Sequence, residues 1–233
     1  MKAYYDLHIH STLSSCSDEL QTPNNILNMC MLKGLDIIAI TDHNSLKHLY
    51  TFEELSNSYN FLFIFGCEVT VKEGFHILTY FETLEKAINF DQYLESNLDK
   101  ENYDSTLLGR QIICDIYDEE KDCILYYLNK PLKVSFKYLI EKVRKLEGIV
   151  ILAHINKLKT GILDYIEDIS NIDFDGIEIN FDKDNLIKKT PHLSNYKIFE
   201  NSDAHTLVNI NERKNYIEID DLTFSSFKKF FGN

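Results

Sequence analysis

The chain has 233 residues, 44% of them hydrophobic and 26% charged, which excludes a disordered, collagenous or coiled-coil protein and suits one large domain or a domain with an insertion. Lys and Arg number 24 against 37 Asp and Glu, a formal charge of −13, and there are eight histidines. So acidic a chain lacks the basic footprint that nonspecific binding to nucleic acid or to an anionic membrane needs. The longest apolar run, 61–67, is far short of the roughly 20 residues that span a bilayer, so no membrane partner is expected. MKAYYDLHIH has no signal-peptide core. Cys16, Cys30, Cys67, Cys114 and Cys123 are odd in number and form no C-x-x-C pair, which indicates neither a disulfide framework nor a cysteine zinc site. A reducing cytoplasm is the expected location.

In chain order, short apolar runs alternate with helix-like segments in a βαβ manner. Strands are expected at 3–10, 36–41, 61–70, 75–81, 148–154, 176–180, 196–201 and 216–220. After the first, Thr22 reads as an N-cap with Pro23 at the first helical position; Ile26, Leu27, Cys30 and Met31 make the apolar stripe, and Gly34 ends the helix. Ser45 opens a second helix with Leu46, Leu49 and Tyr50 inward. From 83 to 147 the rhythm breaks. Leu84, Ala87, Ile88, Leu94 and Leu98 fit one helix and Leu139, Ile140, Val143 and Leu146 another, with a polar region at 118–122 and Pro131 between them. This stretch reads as a mainly helical insertion in an α/β scaffold formed by 1–82 and 148–233. Leu163, Ile166 and Ile169 suggest a further helix, and Phe224, Phe227, Phe230 and Phe231 face inward from a C-terminal one.

The chemistry gathers at strand ends. His8 and His10 close the first strand, Asp42 and His43 follow the second, Glu68 closes the third and His76 begins the fourth. His154 ends a later one, and Asp203 and His205 follow the last of the series. In a parallel strand-helix barrel these ends share one face, where catalytic groups converge. His8 and His10 point to the same side of a strand, so the H-x-H pair can chelate one ion, and Asp203 with His205 repeats that spacing. Singly, each residue has an ordinary explanation: His76 as a core histidine, Asp18 as a turn residue in a Ser/Cys loop. Glu68 and His154 are harder to dismiss, because a polar group in an apolar strand is costly unless paired or metal-bound. The joint pattern carries the argument, since only His48 and His192 lie away from strand ends.

DLHIHS (6–11), TDHNS (41–45), GCEVT (66–70), LAHIN (152–156) and NSDAH (201–205) resemble, in order, the successive motifs of the PHP (polymerase and histidinol phosphatase) superfamily, closest to its small stand-alone phosphoesterases. The resemblance implies a distorted (β/α)7 barrel with a trinuclear metal cluster at its C-terminal rim, and a cap subdomain at 83–147. Carried over by position, it places His8, His10, Glu68 and Asp203 on one ion, lets Glu68 bridge to a second held with His76 and His154, and puts a third on Asp18, His43 and His205. Asp6 and Asp42 are expected behind the ligands as groups that orient histidines. The loop from His10 to Asp18 is longer than in many members; without Asp18 the site would work with two ions, and Glu19 is the nearest substitute.

Two to three divalent ions with mixed imidazole and carboxylate ligands suit manganese, iron or zinc. The implied reaction is in-line attack of a metal-bridged hydroxide on a phosphate ester, with Glu68 bridging and His43 or His205 as candidates for protonating the leaving oxygen, an assignment left open because a metal-bound histidine does not shuttle protons freely. Arg110, Arg144, Lys157 and Lys159 are candidate phosphate-binding cations, although solvated charge is the commoner role for any one of them. The acidic balance favours a small phosphorylated metabolite, a nucleotide or a short RNA or other oligonucleotide, and excludes long duplex nucleic acid. The competing readings are a catalytically silent metal-binding regulatory module and an ordinary α/β binding protein with structural histidines. Oligomeric state is not legible.

Overall fold

A computed structural model describes residues 1–232. The chain runs β1 (Lys2–Ile9), α1 (Pro23–Leu32), β2 (Ile37–Ile40), α2 (Leu49–Ser56), β3 (Leu62–Thr70), β4 (His76–Phe81), α3 (Leu84–Asn97) and α4 (Ser105–Leu108). It continues through β5 (Ile112–Cys114), β6 (Glu120–Cys123), α5 (Phe136–Lys145), β7 (Ile149–Leu152), β8 (Gly176–Glu178) and α6 (Lys183–Lys189) to β9 (Ile198–Phe199), β10 (Tyr216–Glu218) and α7 (Phe224–Phe230). The eight strands expected from the apolar runs form one curled sheet in the order β10-β1-β2-β3-β4-β7-β8-β9. After β9 the chain returns to β1: His10 N–H donates to Ala204 O at 3.0 Å and Ala204 N–H to His8 O at 3.2 Å. Seven strands thereby close a distorted barrel, and β10 pairs antiparallel with the first residues of β1 on its outer edge.

Alternation sorts side chains between two apolar clusters, as the period of two in a strand requires. Ala3, Tyr5, Leu7, Ile37, Ala39, Ile64, Leu78, Tyr80, Ile149 and Ile151 fill the interior, and Phe224 and Phe227 of α7 plug its far end. Ile38, Ile40, Phe65, Cys67, Val69, Ile77, Phe81, Val150 and Leu152 face the surrounding helices. β4 runs antiparallel to both β3 and β7, so its first residue, His76, lies at the end where the other strands finish.

Several expectations need correction. Met31 and Tyr50 are exposed. The second helix begins at Leu49 because Asp91 Oδ1 accepts from Leu46 N–H at 2.7 Å and holds 45–48 as a turn, which shifts the helical phase and buries Phe52 instead. The helix suggested by Leu163, Ile166 and Ile169 is a single 3₁₀ turn at Ile162–Asp164. Thr22 sits at the N-cap of α1 without capping it; Asp118 does so from a distance, accepting from Asn24 N–H at 3.0 Å and from Thr22 Oγ1 at 2.8 Å.

Asp118 belongs to the turn of the β5–β6 hairpin, which lies with α3, α4 and α5 in the stretch between β4 and β7. The hairpin is tied to the rim loops. Ile112 N–H donates to Thr12 O at 2.8 Å, Thr51 Oγ1 to Cys114 O at 2.8 Å, and Cys114 N–H to His48 Nε2 at 3.0 Å. Burial keeps His48 neutral, its pKa lowered to about 4. Gly109 is required where it stands: its φ is +83° and a Cβ would fall 2.1 Å from Ser15 O.

Candidate metal centre

Glu68 and His76 reach the rim by ordinary alternation, in phase with Ile64 on β3 and with Leu78 and Tyr80 on β4. The other groups depend on breaks in the phase. In β1 the register slips between Asp6 and Ile9, so Ile9 joins the outer cluster while His8 and His10 turn inward. A bulge re-aims side chains in this way beside functional sites. Ala153 faces inward at the end of β7, and His154 turns inward directly after it through a φ of +22°. Asp203 has a φ of +52°, an uncommon conformation for a non-glycine residue and one that clusters at functional sites.

Four donors converge. His8 Nε2 and His10 Nε2 are 3.2 Å apart, Glu68 Oε2 lies 3.4 and 3.3 Å from them, and Asp203 Oδ1 is 3.3 Å from each. The surrounding hydrogen bonds assign the tautomers. Both Glu178 oxygens accept from His8 Nδ1, at 3.1 and 3.0 Å. Ser14 Oγ donates to Asp42 Oδ1 at 2.6 Å, so it can only accept from His10 Nδ1, 3.0 Å away. In the neutral imidazoles the protons therefore sit on the two Nδ1 atoms, which leaves the Nε2 lone pairs to face each other and the two carboxylates. Four acceptors pointed at one place, with His8, His10 and Glu68 buried, call for a cation among them. The donor set fits a divalent metal ion.

The remaining ligands crowd around Glu68. Its Oε1 lies 2.7 Å from His76 Nδ1 and 2.8 Å from His154 Nε2, and its Oε2 is 3.0 Å from His43 Nδ1. That buried His43 nitrogen is close enough to pair with Glu68 but is not aligned for a hydrogen bond. Two further groupings share the cluster: His43, Glu68 and His76, and His10, His43 and His205. His205 Nδ1 donates to Asp203 O at 2.7 Å, leaving Nε2 free to ligate. Asp18 stands outside these groupings. It is exposed, its carboxylate accepts from Leu20 N–H at 2.8 Å, and only its backbone reaches the site, donating to His205 O at 2.8 Å. Glu19 is exposed as well. The same loop carries Cys16, whose thiol pKa burial would raise but the nearby His205 and His43 bring down to about 5.

The carboxylates and histidines shift one another. Burial alone would neutralise Glu68, yet the surrounding histidines hold it well below the usual carboxylate range, and His8 and His10 hold Asp203 low in the same way. Burial opposes protonation of His8, but Glu178, Asp203 and Glu68 raise it well above the ordinary value. His43 rises to about 10, with Glu68 the main cause opposing burial. Asp6, raised by burial to about 6, touches backbone and no imidazole. It accepts from Ser202 N–H at 3.1 Å and Asn211 N–H at 2.9 Å, with His8 N–H at 3.4 Å, and so holds the loop of Asp203 against the bulge of β1. Of the candidate cations, Arg144 is occupied by Asp173 and Asp175 at 2.8 and 2.6 Å, and Arg110 pairs with Glu120 on the hairpin. Lys157 reaches the centre, with Nζ 2.6 Å from Asp203 Oδ2. Glu178, Ser14 and Cys16 were not singled out by sequence reasoning. Glu178 could have been, because a carboxylate inside G-I-E-I-N poses the same problem as Glu68.

Comparison with known proteins agrees with this geometry. The model of the PHP domain family matches residues 6–182. An uncharacterized protein of Methanocaldococcus jannaschii is 30% identical over 105 residues, covering 41% of this chain and 60% of that protein. A lesion-specific endonuclease from Pyrococcus furiosus superposes with a TM-score of 0.72 at 21% identity, over 98% of this chain and 55% of the other. An Endonuclease Q bound to a 27-mer duplex with an abasic lesion gives 0.71 at 21% identity, over 100% and 57%. A putative metal-dependent phosphoesterase from Bifidobacterium adolescentis gives 0.57 at 16% identity, over 98% and 95%. The chain thus spans little more than half of each endonuclease, and at these identities the superpositions speak for the fold alone.

Proposed function

This chain belongs to the PHP domain family, and from that premise we propose that it hydrolyses a phosphate ester at a centre of two to three divalent ions, manganese, iron or zinc. The observation that carries the reading is the convergence of His8 Nε2, His10 Nε2, Glu68 Oε2 and Asp203 Oδ1, with both imidazole tautomers set by Glu178 and Ser14. Glu68 offers its second oxygen toward His76 and His154, and His43 and His205 complete the ring. Divalent ions at such a centre supply Lewis acidity and lower the pKa of bound water.

The protein's own part is to hold these donors. Glu178 and the Asp42–Ser14 pair fix the two imidazole orientations, and Asp6 fixes the loop of Asp203. Residues 83–147 contact the rim loops through the hairpin and through Leu128 O, which accepts from Asn44 Nδ2 at 2.6 Å, and this supports reading them as a cap. The proposed substrate is a phosphorylated metabolite, a nucleotide or a short oligonucleotide. Net charge does not exclude duplex DNA, because an endonuclease of the same fold is bound to a duplex. Among the described residues no helix is long and apolar enough to cross a membrane.

The test is a manganese-supplemented hydrolysis screen over nucleoside mono- and bisphosphates, histidinol phosphate, short RNA and abasic duplex DNA, with the Asp203→Ala variant as control. Turnover that the variant loses supports the reading. A metal-replete protein inert on all of them sinks it in favour of a silent metal-binding module.

A further inference from the structure

Asp203 presents its two oxygens to different neighbours: Oδ1 faces His8 and His10, while Oδ2 accepts from Lys157 Nζ at 2.6 Å. The two oxygens share one carbon, so whatever ion lies among the histidines has the Lys157 ammonium as its neighbour. The backbone holds the lysine there. Lys157 N–H donates to His154 O at 2.8 Å and Gly161 N–H to Lys157 O at 2.7 Å, a loop tight enough that a Cβ on Gly161 would fall 2.5 Å from Ile155 O. An ammonium has three N–H donors and Asp203 uses one. The lysine side chain keeps 43% of its surface exposed at the rim.

We propose that Lys157 is a phosphate-binding residue, donating from Nζ to an anionic oxygen of the substrate phosphate while Asp203 holds it beside the metal centre. The proposal rests on the phosphoesterase reading above and deepens it. The geometry separates Lys157 from the other basic candidates: Arg144 and Arg110 are paired elsewhere, and Lys159 is exposed two residues further along.

The experiment measures inorganic phosphate as a competitive inhibitor, together with manganese content, for the metal-loaded wild type and the variants Lys157→Met, Lys157→Arg and Lys159→Met. Loss of a charge-assisted hydrogen bond predicts that Lys157→Met raises the phosphate inhibition constant and KM about tenfold or more. Manganese content stays unchanged, Lys157→Arg recovers part of the loss and Lys159→Met behaves as wild type. Equal inhibition of wild type and Lys157→Met overturns the proposal, as does loss of manganese from Lys157→Met, which would make the lysine a support for Asp203 alone. A wild type that hydrolyses no ester and binds no phosphate overturns the phosphoesterase reading itself, a result distinct from either of those.

Discussion

The two ends of the barrel interior are built from the same strands and do opposite things. At the far end Ala3, Tyr5, Ile37, Ile149 and Ile217 alternate without interruption, and Phe224 and Phe227 of α7 close the space with carbon. At the rim, β1 slips its register, His154 and Asp203 take positive φ, and the buried side chains are imidazoles and carboxylates. Regular alternation packs a core and stabilises the fold, whereas the departures gather ligands that repel or desolvate one another until a cation joins them. One end holds the molecule together, and the other carries a cost that ligand binding offsets.

Substitutions at the two ends should therefore separate stability from chemistry. At the rim, His8→Ala is expected to reduce hydrolysis by roughly a thousandfold or more, because it removes a donor from the four-ligand set. Its metal-free form should keep the wild-type fold by circular dichroism. At the far end, Phe227→Ala should cost roughly 3–5 kcal/mol, the range for emptying a fully buried aromatic site, with manganese content unchanged. If Phe227→Ala emptied the centre while leaving denaturant stability intact, the two ends would not be separate in the way described.

A finer probe is Glu178→Gln. It keeps the shape but replaces a pure acceptor facing His8 Nδ1–H and His154 N–H with a mixed group, and should weaken manganese binding by roughly 10–100-fold. Retained affinity would mean that the tautomer of His8 is set by something else.

The smallest expected effect is on pH dependence. In the metal-free protein His43 is raised to about 10 from an ordinary value of 6.5, so it binds its proton more tightly folded than unfolded. Its contribution is complete below about pH 6.5 and is lost as pH rises through 10, so the metal-free melting temperature should fall between pH 6 and pH 9. The manganese-loaded protein, in which an ion replaces protons, should not show that fall, and manganese affinity should rise with pH. Parallel pH profiles with and without EDTA would count against this.

Much of the far end was legible in the sequence, because eight apolar runs at strand length became the eight strands of the main sheet. The ligands were legible as types at strand ends, but how they came to face one another was not. A register slip between Asp6 and Ile9 leaves no trace in residue identity, and a positive φ at Asp203 is indistinguishable from an ordinary turn. The β5–β6 hairpin escaped notice because Glu120, Lys121 and Asp122 are exposed and carry no alternation. Asp118 capping α1 from 94 residues away along the chain is a tertiary contact that no local pattern encodes. Within the loop 11–18 the family resemblance points to Asp18, but whether its carboxylate faces the centre or, as here, caps Leu20 N–H depends on the loop's conformation and not on residue identity.

The most direct test of the central claim is calorimetric titration of the metal-depleted protein with manganese, in wild type and in Asp203→Ala. Convergent lone pairs at the rim predict uptake of at least two ions by the wild type and loss of at least one from the variant, with the fold retained by circular dichroism. A folded wild-type protein that takes up no manganese, or an Asp203→Ala variant that binds as many ions as tightly, would contradict it.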